Sequence, residues 1–403
     1  MKKNIYLKNN INQSYFNKDI YSTDKIKIKK IINNIFTSLN KKQDSFHSLS
    51  QKFNFNFKRS QLIKFNKYKT VILIGMGGSA LGAKALYSFF RDEIEKKFIF
   101  LDNLDQLKIE KIKQKINLKN YLFIIISKSG NTLETLINTN LLVDKINKKN
   151  TIIITEKKNN ILNVFAKNKK ILHVVHKDYI GGRYSVLSEV GLIPAYFMGL
   201  KIKNFRKNLL IFFKSKQKSL LIDNISKLTQ IYRRGKINSI ILLNYAPEVN
   251  EFLYWCQQLI AESLGKKGKG ILPVISQAPR DHHSLLQLYL DGPKDKIFYI
   301  FSLKLNKKIK INKNIFGKTF SYAANKNLSE VKEAQKNALI HVLKSKNIPY
   351  QEFVIEKKNE ETLGELFSYF IMETVLIGNL IGINPFNQPA VEQVKILTKK
   401  YLS

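Results

Sequence analysis

The chain has 403 residues, 44% hydrophobic and 11% aromatic, which is enough apolar material for two buried cores and too much for a disordered or fibrous chain. Its formal charge is +39, but only seven of the 69 basic residues are Arg, and the Lys are scattered among Asn and Ile along the whole length. That pattern reads as compositional drift that attracts an anionic substrate at long range, not as a nucleic-acid groove, which concentrates Arg between aromatics. The single Cys256 excludes an internal disulfide. No apolar leader is visible in the first 16 residues, and no apolar run approaches the ~20 residues of a membrane helix, so the expectation is a cytoplasmic protein with no membrane and no nucleic-acid partner.

Residues 1–67 read as a Lys/Asn-rich N-terminal arm, helical around 25–39 and without a strong strand. From 69 onward the pattern becomes regular. Short apolar runs at 71–74, 98–101, 122–126 and 151–154 predict strands, and 80–90 and 133–146 carry helical spacing between them. The plan then repeats, with strands expected at 239–243, 296–303 and 352–355 and helices at 248–264, 334–343 and 363–381. A loop at 382–389 leads to a closing helix over 390–401. Strands alternating with helices predict an α/β chain of two doubly wound parallel-sheet domains, 68–204 and 225–381, with the N-terminal arm and a C-terminal loop and helix at 382–403.

Two loops at strand ends carry chemistry. Gly75-Met76-Gly77-Gly78-Ser79-Ala80 lies between a strand and a helix, where backbone amides and the helix N-terminus favour an anion. The same residues fit the dinucleotide fingerprint, with Asp102 at the ~20-residue separation of a ribose contact, so a nicotinamide-dependent oxidoreductase competes as a reading. A tight turn that only packs a helix is the plain structural alternative. Ser127-Lys128-Ser129-Gly130-Asn131-Thr132 occupies the equivalent place after the next buried strand. Its hydroxyls and amides suit a phosphate monoester, and the spacing of a nucleoside-triphosphate loop is absent.

These two segments, 74–82 and 127–134, resemble the sugar-isomerase fold. Gly181-Gly182-Arg183-Tyr184-Ser185 narrows the resemblance to the phosphoglucose isomerase family, compact bacterial type. Three further segments follow in that family's order: Glu262-Ser263-Leu264-Gly265-Lys266, His283-Ser284-Leu285-Leu286-Gln287, and Asn387-Gln388-Pro389-Ala390-Val391-Glu392-Gln393-Val394-Lys395. Taken singly, Glu262 would read as a surface carboxylate and Lys395 as one more exposed lysine; the ordered set gives them meaning. Glu189 stands where the first signature has a small residue, and Ala390 where the last has Gly, neither at a position with a chemical role.

The resemblance implies a reversible aldose–ketose isomerisation of glucose 6-phosphate and fructose 6-phosphate through an enediolate, needing no cofactor and no metal. It implies Glu262 as the base, Arg183 as the enediolate stabiliser, and His283 with Lys395 as the ring-opening pair. Glu134 would orient the site, and Gly77, Gly78, Ser79, Ser127, Lys128, Ser129, Thr132 and Gln388 would hold the sugar phosphate. It also implies a homodimer whose active sites are shared, the His-bearing segment reaching across. A non-catalytic sugar-phosphate-binding protein of the same fold is the alternative; it would keep the two loops without needing Glu262, Arg183, His283 and Lys395 together.

Overall fold

In the computed structural model, residues 4–39, 41, 45–114, 121–213, 215–305, 309–311 and 316–403 are described. The chain opens with β1 (Ile5–Asn10), α1 (Lys18–Ser38) and α2 (Arg59–Ile63). A first α/β run follows: β2 (Thr70–Ile74), α3 (Leu81–Phe89), β3 (Lys97–Leu101), α4 (Gln106–Gln114), β4 (Tyr121–Ile126), α5 (Leu133–Asn140), β5 (Thr151–Thr155), α6 (Ile161–Asn168) and β6 (Leu172–Val175). Helices α7 (Glu189–Phe197), α8 (Ile202–Phe205) and α9 (Ser215–Arg234) lead to the second run. That run is β7 (Ser239–Asn244), α10 (Asn250–Leu264), β8 (Leu272–Gln277), α11 (Leu286–Asp291), β9 (Lys296–Leu303), α12 (Leu328–Ser345) and β10 (Tyr350–Ile355). Helices α13 (Glu360–Leu380) and α14 (Glu392–Leu402) close the chain.

The strands form two five-stranded sheets, ordered β3-β2-β4-β5-β6 and β1-β10-β9-β7-β8. The first is parallel throughout. Alternate residues show why both faces must be covered. Val71, Leu73, Leu122 and Ile124 enter the main core, whereas Ile72, Ile74, Phe123 and Ile125 enter a second cluster on the opposite face. The second sheet repeats this, with Ile240, Leu242 and Phe301 on one face and Ile241, Leu243 and Ile300 on the other. The main core is shared: α3, α10 and α13 contribute to one apolar cluster that joins residues of both sheets.

One expectation fails at the N-terminus. Residues 5–10 are not part of a strandless arm; they form β1, paired antiparallel to β10 from Ile5↔Ile355 to Asn10↔Tyr350, so the second sheet is mixed. The strands β6 and β8 and the long helix α9 also go beyond the sequence pattern. Helix α9 begins among residues 205–224, expected to separate two domains, and runs on into the second. Among the described residues, only α13 is long and apolar enough to cross a membrane, and it is a core helix, with 89% of its apolar window buried inside the protein.

Candidate active site

In the first sheet, β3 lies on one side of β2 and β4 on the other, so the chain reverses direction of travel between β2 and β4. Such switch points open a crevice at the carboxyl ends of the strands. The loops 75–79 and 127–132 leave these two neighbouring strands, placing both candidate anion sites on one crevice. Among the described residues, the amides of Met76, Gly77, Gly78, Lys128, Ser129 and Thr132 engage no protein acceptor. The Thr132 hydroxyl does not cap α5; it pairs with Ser127 Oγ at 2.8 Å. The first amides of α5 are therefore without a side-chain cap, and an uncapped helix N-terminus is a place that favours an anion.

The glycine loop is held against the second run of the chain. Gly77 has φ +50°, and a Cβ there would stand 2.7 Å from Gln258 Nε2. A Cβ at Gly78 would stand 2.3 Å from the Gly182 carbonyl. Only glycines permit this approach, and it sets the loop beside the turn that carries Arg183.

Arg183 is 3% exposed and is the hub of the site. Its Nη1 donates to Glu262 Oε2 at 3.1 Å and to Gln388 Oε1 at 2.6 Å. Its Nη2 donates to the carbonyls of Pro385 and Asn387, and its Nε to Ser263 Oγ. A buried guanidinium is tolerable only when paired and fully hydrogen bonded, and here it is. Glu262, in the last turn of α10, also accepts from Gln258 Nε2 at 2.9 Å, and its side chain is 30% exposed. Lys266 Nζ donates to Asn384 O and Asn387 Oδ1, pinning the 384–388 loop. Burial and then the Arg183 charge push the Lys266 amine down to about 8, against the pull of Glu262.

The structure thus brings Arg183, Glu262 and Gln388 together and sets Gly77 and Gly78 against them. Ser127, Ser129, Thr132, Ser79 and the half-buried Glu134 lie on the two loops and their helix starts. Lys128 is placed differently from the expectation for its side chain. Its Nζ donates to Asp178 O at 2.6 Å and lies 3.7 Å from Glu156, with burial lowering its pKa, so toward the crevice it offers its amide. His283 is exposed at the turn after β8, and Lys395 is exposed on α14, bonded to Glu392. No hydrogen bond or ion pair among the described residues joins either to Arg183 or Glu262. Asp102, the ribose contact of the dinucleotide reading, is held by Lys84 at 2.9 Å.

Sequence reasoning passed over Gln258 and gave no task to Ser263, Tyr184 or Lys266. Gln258 had a signal: it precedes Glu262 by four residues on a helix, the spacing that puts side chains on one face. The carbonyls of Pro385 and Asn387 had none, because loop geometry alone aims them.

A model of the family described as phosphoglucose isomerase matches residues 23–403. A probable glucose-6-phosphate isomerase of Methanococcus maripaludis is 35% identical over 362 residues, covering 85% of this chain and 81% of that protein. A glucose-6-phosphate isomerase of Campylobacter jejuni is 33% identical over 376 residues, covering 89% and 91%. Among solved structures, a hypothetical protein from Thermus thermophilus superposes with a TM-score of 0.86 at 22% identity, covering 99% of this chain and all of that one. A glucose-6-phosphate isomerase from Chlamydia trachomatis gives 0.71 at 20% identity, covering 84% and 71%. At these identities the two structures speak for the fold.

Proposed function

This chain belongs to the phosphoglucose isomerase family, and from that premise we infer that it interconverts glucose 6-phosphate and fructose 6-phosphate, with the catalytic groups assigned as follows. The phosphate sits on the free amides and hydroxyls of the 127–132 loop. In the open-chain sugar, the Glu262 carboxylate removes the proton on C2, and the electron pair moves through C1 onto the carbonyl oxygen to give an enediolate. Arg183 stabilises that charge from a dry, preorganised position. The C2 hydroxyl proton then passes to the C1 oxygen, and Glu262 returns its proton to C1 as the C2 oxygen becomes the ketone, so one carboxylate serves both half-reactions and no redox equivalent is consumed. The observation that supports this most is the direct contact of a partly exposed carboxylate with a buried, immobilised guanidinium beside the glycine loop.

His283 and Lys395 have the chemistry for ring opening, one proton going onto the ring oxygen and one leaving the anomeric hydroxyl. Their exposure in a single chain fits a homodimer in which a second copy completes each site. Helix α14 supports this, since Val394, Ile396, Leu397, Tyr401 and Leu402 are all exposed along it. We read the enzyme as cytosolic, with Cys256 a buried free thiol. The test is a coupled assay with fructose 6-phosphate on the parent and on Glu262→Gln, which keeps shape and loses the base. The parent should turn over, and the variant should bind the sugar phosphate with near-parental affinity but be inactive. Activity within a few-fold of the parent would remove Glu262 from the base role.

A further inference from the structure

A guanidinium carries five N–H donors in a fixed plane, and in Arg183 each of them meets an acceptor. The two edges of the plane differ in kind. Nε and Nη2 face a fully buried serine hydroxyl and two peptide carbonyls, at 2.8, 2.6 and 3.1 Å. Nη1 faces only the side chains of Glu262 and Gln388, which are partly exposed and rotate about single bonds. A substrate oxygen reaches an N–H of this cation only by replacing one of those two.

Behind the fixed edge lies a chain whose proton order the geometry dictates. Tyr184 Oη is 2.8 Å from Ser263 Oγ and 2.9 Å from the Pro385 carbonyl oxygen. The carbonyl only accepts, so Tyr184 donates to it. With its one proton so placed, Tyr184 accepts from the Ser263 hydroxyl, whose oxygen accepts in turn from Arg183 Nε. The sequence Arg183 Nε–H to Ser263 Oγ–H to Tyr184 Oη–H to Pro385 O satisfies every member. Burial raises the Tyr184 phenol and keeps it a donor. Ser263 and Tyr184 are themselves 0% and 2% exposed, so neither meets solvent.

We propose that Ser263, backed by Tyr184, is a positioning residue for the isomerisation. It locks the Nε edge of Arg183 so that only the Nη1 edge exchanges partners, from Glu262 and Gln388 in the free enzyme to the enediolate oxygen during turnover. Glu262 is thereby released from the cation as substrate arrives, free to take the C2 proton. The proposal rests on the reading of Arg183 as the enediolate stabiliser.

The test uses the full-length enzyme with Ser263→Ala, Ser263→Thr, Tyr184→Phe and Arg183→Gln. Its readouts are kcat, KM for fructose 6-phosphate, and the inhibition constant of a five-carbon aldonic acid 5-phosphate, whose carboxylate imitates the enediolate charge. Ser263→Ala should lower kcat roughly 10- to 100-fold, shift KM by no more than about 2-fold, and weaken the carboxylate mimic in step with kcat. Tyr184→Phe should move the same way by less, and Ser263→Thr, which keeps the hydroxyl, should restore most of kcat. A role in folding alone would change the active fraction and leave the mimic's affinity untouched; that result, or parental kinetics in Ser263→Ala, overturns the proposal. Should Ser263→Ala fail to fold, Tyr184→Phe preserves the ring packing and is measured by the same readouts, and parental kinetics with an unchanged affinity for the mimic would then overturn the proposal. An Arg183→Gln enzyme with parental kcat would instead place the fault in the reading of Arg183.

Discussion

An added Cβ at Gly78 would lie 2.3 Å from the carbonyl carbon and oxygen of Gly182 and 2.6 Å from the Arg183 amide nitrogen, all of them backbone atoms with no room to yield. At Gly182 the same atom would meet nothing within 4 Å. The two glycines therefore predict opposite outcomes. Gly78→Ala should cost about 1–3 kcal/mol through overpacking and, by pushing the glycine loop off the Arg183 turn, lower kcat/KM on the order of 100-fold. Gly182→Ala should stay within about 0.5 kcal/mol of the parent in stability. Thermal unfolding of both variants, with kinetics for the first, checks the pair. Equal stability losses at the two positions would mean that the close approach is not what requires Gly78. Glu189 shows the same dependence on neighbours. It departs from the small residue of the family signature, yet it is fully buried and usable because Lys177 Nζ and the Asn56 amide bind its Oε1 at 2.6 and 2.7 Å.

At the scale of elements, α13 combines a core position with a buried acid. Glu373 accepts from Tyr369 Oη at 2.7 Å, Tyr299 Oη at 3.2 Å and Asn224 Nδ2 at 3.4 Å, and its charge adds to the upward push that burial gives Tyr232 and Cys256. Burial pushes its pKa up to about 7, while the Tyr369 and Tyr299 hydrogen bonds pull it down. A carboxyl raised on folding binds its proton more tightly in the folded state, so its contribution to stability falls as pH rises from about 4.5 to about 7 and is level above that. The full swing is on the order of 3 kcal/mol. Glu373→Gln should flatten this part of the stability profile, read by denaturant unfolding between pH 4.5 and 8. Glu365, likewise raised to about 7 chiefly by burial, leaves a residual slope. An unchanged slope in Glu373→Gln would assign the whole pH dependence elsewhere. Strand β1 makes a different point about elements. Ile-Tyr-Leu-Lys-Asn-Asn is a poor strand by itself, and it becomes one because β10, some 345 residues on in register, presents a free edge and a buried face.

For the molecule as a whole, the proposed shared-site dimer makes a quantitative forecast. If Glu262 of one copy works with His283 of the other, Glu262→Gln and His283→Ala homodimers are each inactive, yet their heterodimer has one intact site and one doubly damaged site. Random reassociation of an equal mixture should then recover about a quarter of parental activity, measured after mild dissociation and dialysis, and no recovery would put both residues in one subunit's site. Much of this protein was legible in its sequence. Runs such as Val71 to Ile74 and Leu122 to Ile126 are apolar on every residue, which only a doubly covered parallel strand requires, and the Gly-rich and Ser/Thr-rich loops sit where such strands end. Local pattern thus determined the α/β class, the places of the Gly-rich and Ser/Thr-rich loops, and, through ordered motifs, the family and its reaction. What local pattern lacks is any record of which distant atoms meet. The coordination of Arg183 by Ser263, Pro385, Asn387, Gln388 and Glu262 joins positions 79 to 205 residues apart. The turning of Lys128 toward Asp178 and the capture of β1 by the second sheet are likewise set by packing between segments. Only the tertiary structure decides these, because a hydrogen bond depends on distance and direction in space and not on separation along the chain.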